Sequence, residues 1–268
     1  MDKGVVAGRV YIVGAGPGHP DLISVRGMRL LQAADVVVYA GSLVPAAMLD
    51  YCRPEAERID TRSQVLETLL PTVVDRARAG QVVVRLQDGD PCLYGALQEM
   101  TVALLAAGVE FEVVPGVSAF QAAAARLGVE LTVPDLVQSI ILTRASGRTA
   151  VPEAEDLASL AAHRASLCLY LSAHHAKDVQ ATLLEHYPAE TAIAICYRIG
   201  WPDEQILSGT LSQLHDLTKS AKLNRTVLYL VSPALDVTAP ARSQLYSPSH
   251  VHLFRPHRPH TTLAPDIT

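Results

Sequence analysis

No uninterrupted apolar run in this 268-residue chain approaches the length of about twenty residues that crosses a bilayer. The stretch Met1–Val5 has neither the apolar core nor the cleavage site of a secretory signal, so a cytoplasmic protein with no membrane partner is expected. Cysteine is sparse: Cys52, Cys92, Cys168 and Cys196 are scattered, with no Cys-x-x-Cys pair. That spacing fits reduced, buried thiols far better than a zinc site or a disulfide frame. An excess of positive charge is also lacking. With 22 Lys and Arg against 27 Asp and Glu the net charge is -5, which gives nucleic acid no general attraction and leaves anionic ligands to local arginines. Aromatics are 5% of the chain, with a single tryptophan, and no internal repeat is visible. What is abundant is apolar character: 49% hydrophobic against 18% charged residues, a composition that buries substantial cores.

The length fits two moderate domains. In the first half, the apolar runs Val10–Val13, Val36–Tyr39, Val82–Leu86 and Phe111–Val114 read as strands. They alternate with helical patterns over Leu22–Ala33, Gln64–Ala79, Tyr94–Ala107 and Ser118–Leu127. Continuous apolar strands separated by helices predict a mostly parallel sheet covered on both faces, an α/β domain over 7–131. Pro134, in the segment Glu130–Asp135, marks a seam. A second α/β domain over 137–236 follows, with strands at Ser139–Leu142, Leu167–Leu171, Ala192–Tyr197 and Val227–Val231. Its helices are predicted at Glu153–Ala162, Ala176–Tyr187 and around Leu211–Leu217. Residues 237–268, rich in proline, histidine and arginine without periodicity, read as a flexible tail.

Three strand ends carry glycine turns: Gly14-Ala15-Gly16-Pro17-Gly18-His19-Pro20-Asp21-Leu22, Asp88-Gly89-Asp90-Pro91-Cys92-Leu93-Tyr94-Gly95 and Val114-Pro115-Gly116-Val117-Ser118-Ala119. Ligands of open α/β sheets bind outside the carboxyl ends of strands, so the three turns are expected to face one crevice. Any one of them alone is ordinary turn chemistry. A dinucleotide site would explain Gly14-x-Gly16, but its third glycine falls on His19, and Pro17 removes a donor from a phosphate cradle. The second strand also ends in Tyr39-Ala40-Gly41 rather than in an acidic residue. The turn is built for a ligand without a pyrophosphate. A purely structural interaction protein would not need three such turns.

These motifs resemble those of the tetrapyrrole methyltransferases of the cobalamin pathway, over nearly the whole chain to about residue 235. Gly14–Leu22 matches their Gly-x-Gly-Pro-Gly-x-Pro-x-Leu loop, Gly89–Gly95 their Gly-Asp-Pro-x-x-Tyr-Gly loop and Val114–Ala119 the third. Leu142–Thr149 and Tyr197–Glu204 resemble the branch acting on C11 of precorrin-4. Uroporphyrinogen methyltransferases differ at both Asp88-Gly89-Asp90 and Tyr197–Gly200. The resemblance implies the tetrapyrrole methylase fold: two α/β domains with the active-site cleft between them. It implies S-adenosylmethionine as cosubstrate, a homodimer, and methylation of C11 of precorrin-4 to give precorrin-5. The alternatives are the cobalt form of the substrate, or a sister enzyme acting at C20, C17 or C2/C7.

Cofactor contacts are implied at Pro17, Asp88, Gly89, Asp90, Leu93, Ser118, Ala119, Leu171 and Ile199. Asp90 reads equally well as a turn or cap residue. Backbone donors and an apolar wall suit an adenine and a methionine group. A small-molecule tetrapyrrole carries several carboxylates, which arginines grip bidentately. Arg144 and Arg148 lead the candidates, with Arg26, Arg53, Arg62 and Arg198 behind them, while Tyr94 either stacks on the macrocycle or packs. Methyl transfer from a sulfonium is an in-line displacement served by alignment and exclusion of water, and no side chain is assigned as catalytic. The ten histidines, including His174-His175 and those of the tail, form no convincing ligand set, so no metal is expected.

Overall fold

The computed structural model describes residues 4–147 and 150–236. Its first sheet is parallel throughout, in the order β3-β2-β4-β1-β5, from β1 (Val10–Gly14), β2 (Val36–Tyr39), β3 (Glu57–Asp60), β4 (Val83–Gln87) and β5 (Phe111–Val114). Side chains alternate across this sheet. Tyr11, Val13, Val37, Val84 and Leu86 pack with Leu30 and Leu31 of α1 (Val25–Ala33) and with Met48 of a 3-10 stretch, Ala46–Tyr51. Val10, Ile12, Val36, Val38 and Val83 pack with Leu69 and Val73 of α2 (Leu66–Arg78) and Met100 and Leu104 of α3 (Leu97–Ala106). Burial on both faces is why these strands read as unbroken apolar runs. The helix leaving β1 covers one face and the helix leaving β4 the other, so a crevice opens where these adjacent strands end.

The second sheet, β6-β7-β10-β8-β9, comprises β6 (Ile140–Arg144), β7 (Ser166–Tyr170), β8 (Ala192–Tyr197), β9 (Gln205–Thr210) and β10 (Val227–Val231). Only β6 and β7 run parallel; the other pairs are antiparallel. One face packs on α5 (Leu157–Ala161), α6 (Ala176–Leu184) and α7 (Leu214–Ser220). The opposite face takes Ala122 and Ala123 of α4 (Ala119–Leu127), a helix that precedes the seam in sequence yet shares a core with Cys168, Cys196, Leu228 and Leu230.

Two strands escape the sequence reading. β3 and β9 are edge strands made of Glu-Arg-Ile-Asp and Gln-Ile-Leu-Ser-Gly-Thr, and an edge needs no continuous apolar run. Cys52, Cys168 and Cys196 are buried, whereas Cys92 is exposed on the second glycine turn, contrary to the expectation of burial for all four. Burial pushes the thiols of Cys168 and Cys196 up to about 12. Among the described residues no helix is long and apolar enough to cross a membrane.

Candidate active site

The three glycine turns meet at one point. Ala15 N donates to Gln87 O at 2.7 Å, and Gly16 and Gly89 exchange backbone bonds of 3.2 and 2.8 Å. A Cβ on Gly14 would lie 2.6 Å from Gly116 Cα and 2.7 Å from Gly89 O, so the approach of β1, β4 and β5 at their ends requires bare backbone. Asp90 joins the second turn to the third: Oδ1 accepts from Cys92 N at 2.8 Å and Oδ2 from Gly116 N at 2.9 Å. Its carboxylate is therefore spent on loop architecture. Gly89 has φ +59°, and a Cβ there would meet nothing nearer than Ser118 Cα at 4.0 Å. It looks into open space, which suits a ligand lying against the turn.

The second sheet supplies the opposing wall. Phe120 N donates to Tyr170 Oη at 3.1 Å, and the hydroxyls of Tyr170 and Ser118 share a hydrogen bond of 3.0 Å, so the end of β7 is fastened to the start of α4. Burial raises the Tyr170 hydroxyl above its ordinary value. Leu171 follows with φ +52° and 69% of its surface exposed, a conformation that a branched side chain adopts only under constraint. Tyr94, φ +58° and also exposed, sets its ring 5.5 Å from that of Tyr170 at 50°. Arg144, at the end of β6, lies close enough to lower the Tyr94 hydroxyl against the larger raising effect of burial, and its Nη2 donates to Ala150 O at 3.1 Å.

Ile199 is buried in the turn after β8, where its carbonyl would stand 2.9 Å from a Cβ on Gly18; this brings it beside Pro17. Leu93 is half-buried, its N bonded to Asp90 O at 3.1 Å, and Ala119 opens α4. Asp88 is reached by solvent but hemmed by protein, which raises its carboxyl while Arg85 opposes the rise. Contacts thus link Asp90 to the third turn, Ser118 to Tyr170, Tyr170 to Tyr94, and Ile199 to Gly18; Arg148 lies outside the described residues. The secondary arginine candidates are engaged in ion pairs: Arg26 with Glu112, Arg53 with Asp35, Arg62 with Asp60 and Arg198 with Asp203. Among the described residues no group of three or more His, Cys, Asp or Glu could hold a metal ion, and the tail histidines fall outside them.

Sequence reasoning missed Arg85, Gln87, Tyr170 and Trp201. Arg85 donates to Thr61 Oγ1 at 3.2 Å, and burial lowers its pKa. Its Nε and the Oε1 of Gln87 are buried without a protein partner, while Gln87 Nε2 donates to Gly95 O at 2.7 Å. The available signal was a charged residue inside the apolar run Val82–Leu86.

The sequence pattern of the tetrapyrrole (corrin/porphyrin) methylases matches residues 9–215. The chain belongs to this family. Relatives of this methylase include a cobalt-precorrin-4 C(11)-methyltransferase of Priestia megaterium, 43% identical over 92% of this chain and 97% of the relative. A precorrin-4 C(11)-methyltransferase of Pseudomonas aeruginosa is 42% identical over 92% and 98%. Among solved structures, a cobalt-precorrin-4 methyltransferase superposes with TM-score 0.83 at 44% identity, covering 86% of this methylase and 97% of that chain. A uroporphyrin-III C-methyltransferase of Thermus thermophilus, complexed with S-adenosylhomocysteine, gives TM-score 0.72 at 26% identity over 85% and 98%.

Proposed function

We propose that this methylase transfers a methyl group from S-adenosylmethionine to C11 of precorrin-4, giving precorrin-5 in cobalamin synthesis. The observation that carries the reading is the meeting of three glycine turns at one point in a chain whose full-length relatives are named for that reaction. S-adenosylmethionine, when bound, supplies an electrophilic methyl on a sulfonium.

In this reading the cofactor lies against Pro17, Asp88, Gly89, Asp90, Leu93, Ser118, Ala119, Leu171 and Ile199. The turns offer backbone N–H and C=O groups at fixed positions, while Leu171 and Ile199 supply apolar wall; this holds two reactants in line and keeps water out. Arg144 and Arg148 grip the acetate and propionate groups of the tetrapyrrole, and Tyr94 lies along its face. An electron-rich ring carbon attacks directly, so the chain supplies no covalent nucleophile. A resident metal is not needed as a Lewis acid, and activity is expected to survive exhaustive chelation and dialysis; loss restored only by added metal would contradict this. A cytoplasmic homodimer belongs to the same proposal, supported by the resemblance and checked by light scattering on the purified protein.

The test is incubation with S-adenosylmethionine and enzymatically prepared precorrin-4, with the cobalt form in parallel, followed by mass spectrometry and mapping of the added methyl. One methyl at C11 is expected, and the faster of the two forms is the natural substrate. A methyl at another ring carbon would make the protein a sister enzyme of the same family.

A further inference from the structure

We propose that Trp201 is a positioning residue: the turn Arg198–Glu204 of the second domain clasps the Gly16–His19 turn of the first and holds it in the shape that the methyl donor requires. This rests on the reading that the donor lies against Pro17.

Glycine stands on both sides of the contact. Gly18 is buried, and a Cβ there would lie 2.8 Å from Trp201 Nε1, nearer still to Cδ1, and 2.9 Å from Ile199 O. Gly200, at φ +83°, answers from the other side, since its Cβ would stand 2.7 Å from His19 N. Two backbones therefore touch, with the indole edge set against Gly18.

The indole is backed in turn. The Arg198 guanidinium lies 3.8 Å from the Trp201 ring centre and is fixed by Asp203 at 2.7 Å, on a residue held at φ +47°. The turn is closed by Trp201 N to Arg198 O at 3.0 Å, Glu204 N to Trp201 O at 3.1 Å and Gly200 N to Glu204 Oε2 at 2.7 Å. Glu204 also takes Arg126 of α4 at 2.8 Å, so the clasp is tied to the helix that begins at Ser118 and Ala119. Within the first domain the segment is anchored at Gly16, through its exchanged bonds with Gly89, and at Asp21, whose Oδ1 accepts from Tyr51 Oη at 3.2 Å. Between those two anchors, Gly18 meets the turn of the second domain. Arg198, a sequence candidate for gripping substrate, serves the clasp instead.

The experiment measures S-adenosylhomocysteine binding by calorimetry and steady-state kinetics on the full chain, for wild type, Trp201→Ala, Trp201→Phe and Arg198→Met. Trp201 is the single tryptophan of the chain, so its emission reports the clasp directly and is expected to shift on adding S-adenosylhomocysteine. Trp201→Ala is expected to weaken S-adenosylhomocysteine binding and raise the KM for S-adenosylmethionine at least tenfold. The tetrapyrrole KM and the saturated kcat are expected to stay within about threefold of wild type, and Trp201→Phe to recover most of the loss. Equal affinity in Trp201→Ala and wild type would overturn the clasp, as would parallel loss of both affinities and kcat. Should Trp201→Ala not fold, Arg198→Met keeps the indole but removes its backing, and an unchanged affinity there overturns the clasp too. A wild-type protein that binds no S-adenosylhomocysteine would instead overturn the underlying function.

Discussion

Asp90 spends both carboxylate oxygens on backbone N–H groups of two different turns, so its removal is first a matter of loop geometry. Asp90→Ala is expected to cost about 1–3 kcal/mol for the donors left without acceptors. For a chain this size the thermal midpoint moves by roughly 2–4 °C per kcal/mol; calorimetry checks it, and an unchanged midpoint would place the carboxylate's role elsewhere. Gly89 is the opposite case. Gly89→Val is expected to abolish S-adenosylhomocysteine binding while the chain remains folded, because the side chain enters open space but at φ +59° carries strain. Unchanged affinity would remove the ligand from this turn. Acid stability has a named contributor in Asp60, which Arg62 first, and then Gly41 N, hold at about 2 against an ordinary 3.8. A depressed carboxyl stabilises fully above 3.8 and loses that contribution as pH falls through about 2. Asp60→Asn is therefore expected to lower the melting temperature at neutral pH, with the gap to wild type closing between about 4 and 2. Glycine turns were legible in the sequence because backbone contact demands glycine. Arg85 was not, because its place depends on Thr61 from a strand end that the apolar pattern never marks.

At the level of elements, what the sequence showed follows burial. β1, β2, β4 and β10 are covered on both sides and stand out as Val-rich runs; β3 and β9 close the two sheets with polar residues and do not. The helix expected from Tyr94 begins at Leu97, because Tyr94 and Ala96 sit at φ +58° and +50° and a right-handed helix cannot pass through them. Those two residues extend the glycine turn instead, which is how Tyr94 comes to face Tyr170. The 153–162 region divides likewise into a 3-10 turn and α5, with Asp156 capping Ser159 N at 2.6 Å. Fastening β7 to α4 through one hydroxyl has a measurable consequence. Tyr170→Phe leaves Phe120 N without its acceptor, at a cost of about 1–3 kcal/mol read from denaturant unfolding, and is expected to weaken cofactor binding as well. Wild-type stability in this variant would show that the link carries no energy.

On the scale of the molecule, the proposed division into residues 7–131 and 137–236 is one of sequence, while in space α4 crosses it and lies on the second sheet. The first sheet offers three bare turns, and the second meets them through Tyr170 at Ser118 and through Ile199 and Trp201 at Gly18. A fold-class reading could foresee that the turns share a crevice, since strand order follows from crossover rules. It could not foresee which residues of the second half close it, because that depends on the docking of two sheets. Net charge of -5 makes local cations decisive, and Arg144, at the end of β6, is the one proposed for that role. The most direct measurement is a crystal structure of this protein with S-adenosylhomocysteine. The ligand is expected against Gly89, between Pro17 and Leu171, with Tyr94 and Arg144 on the side that receives a tetrapyrrole. A ligand bound away from the three turns would contradict it.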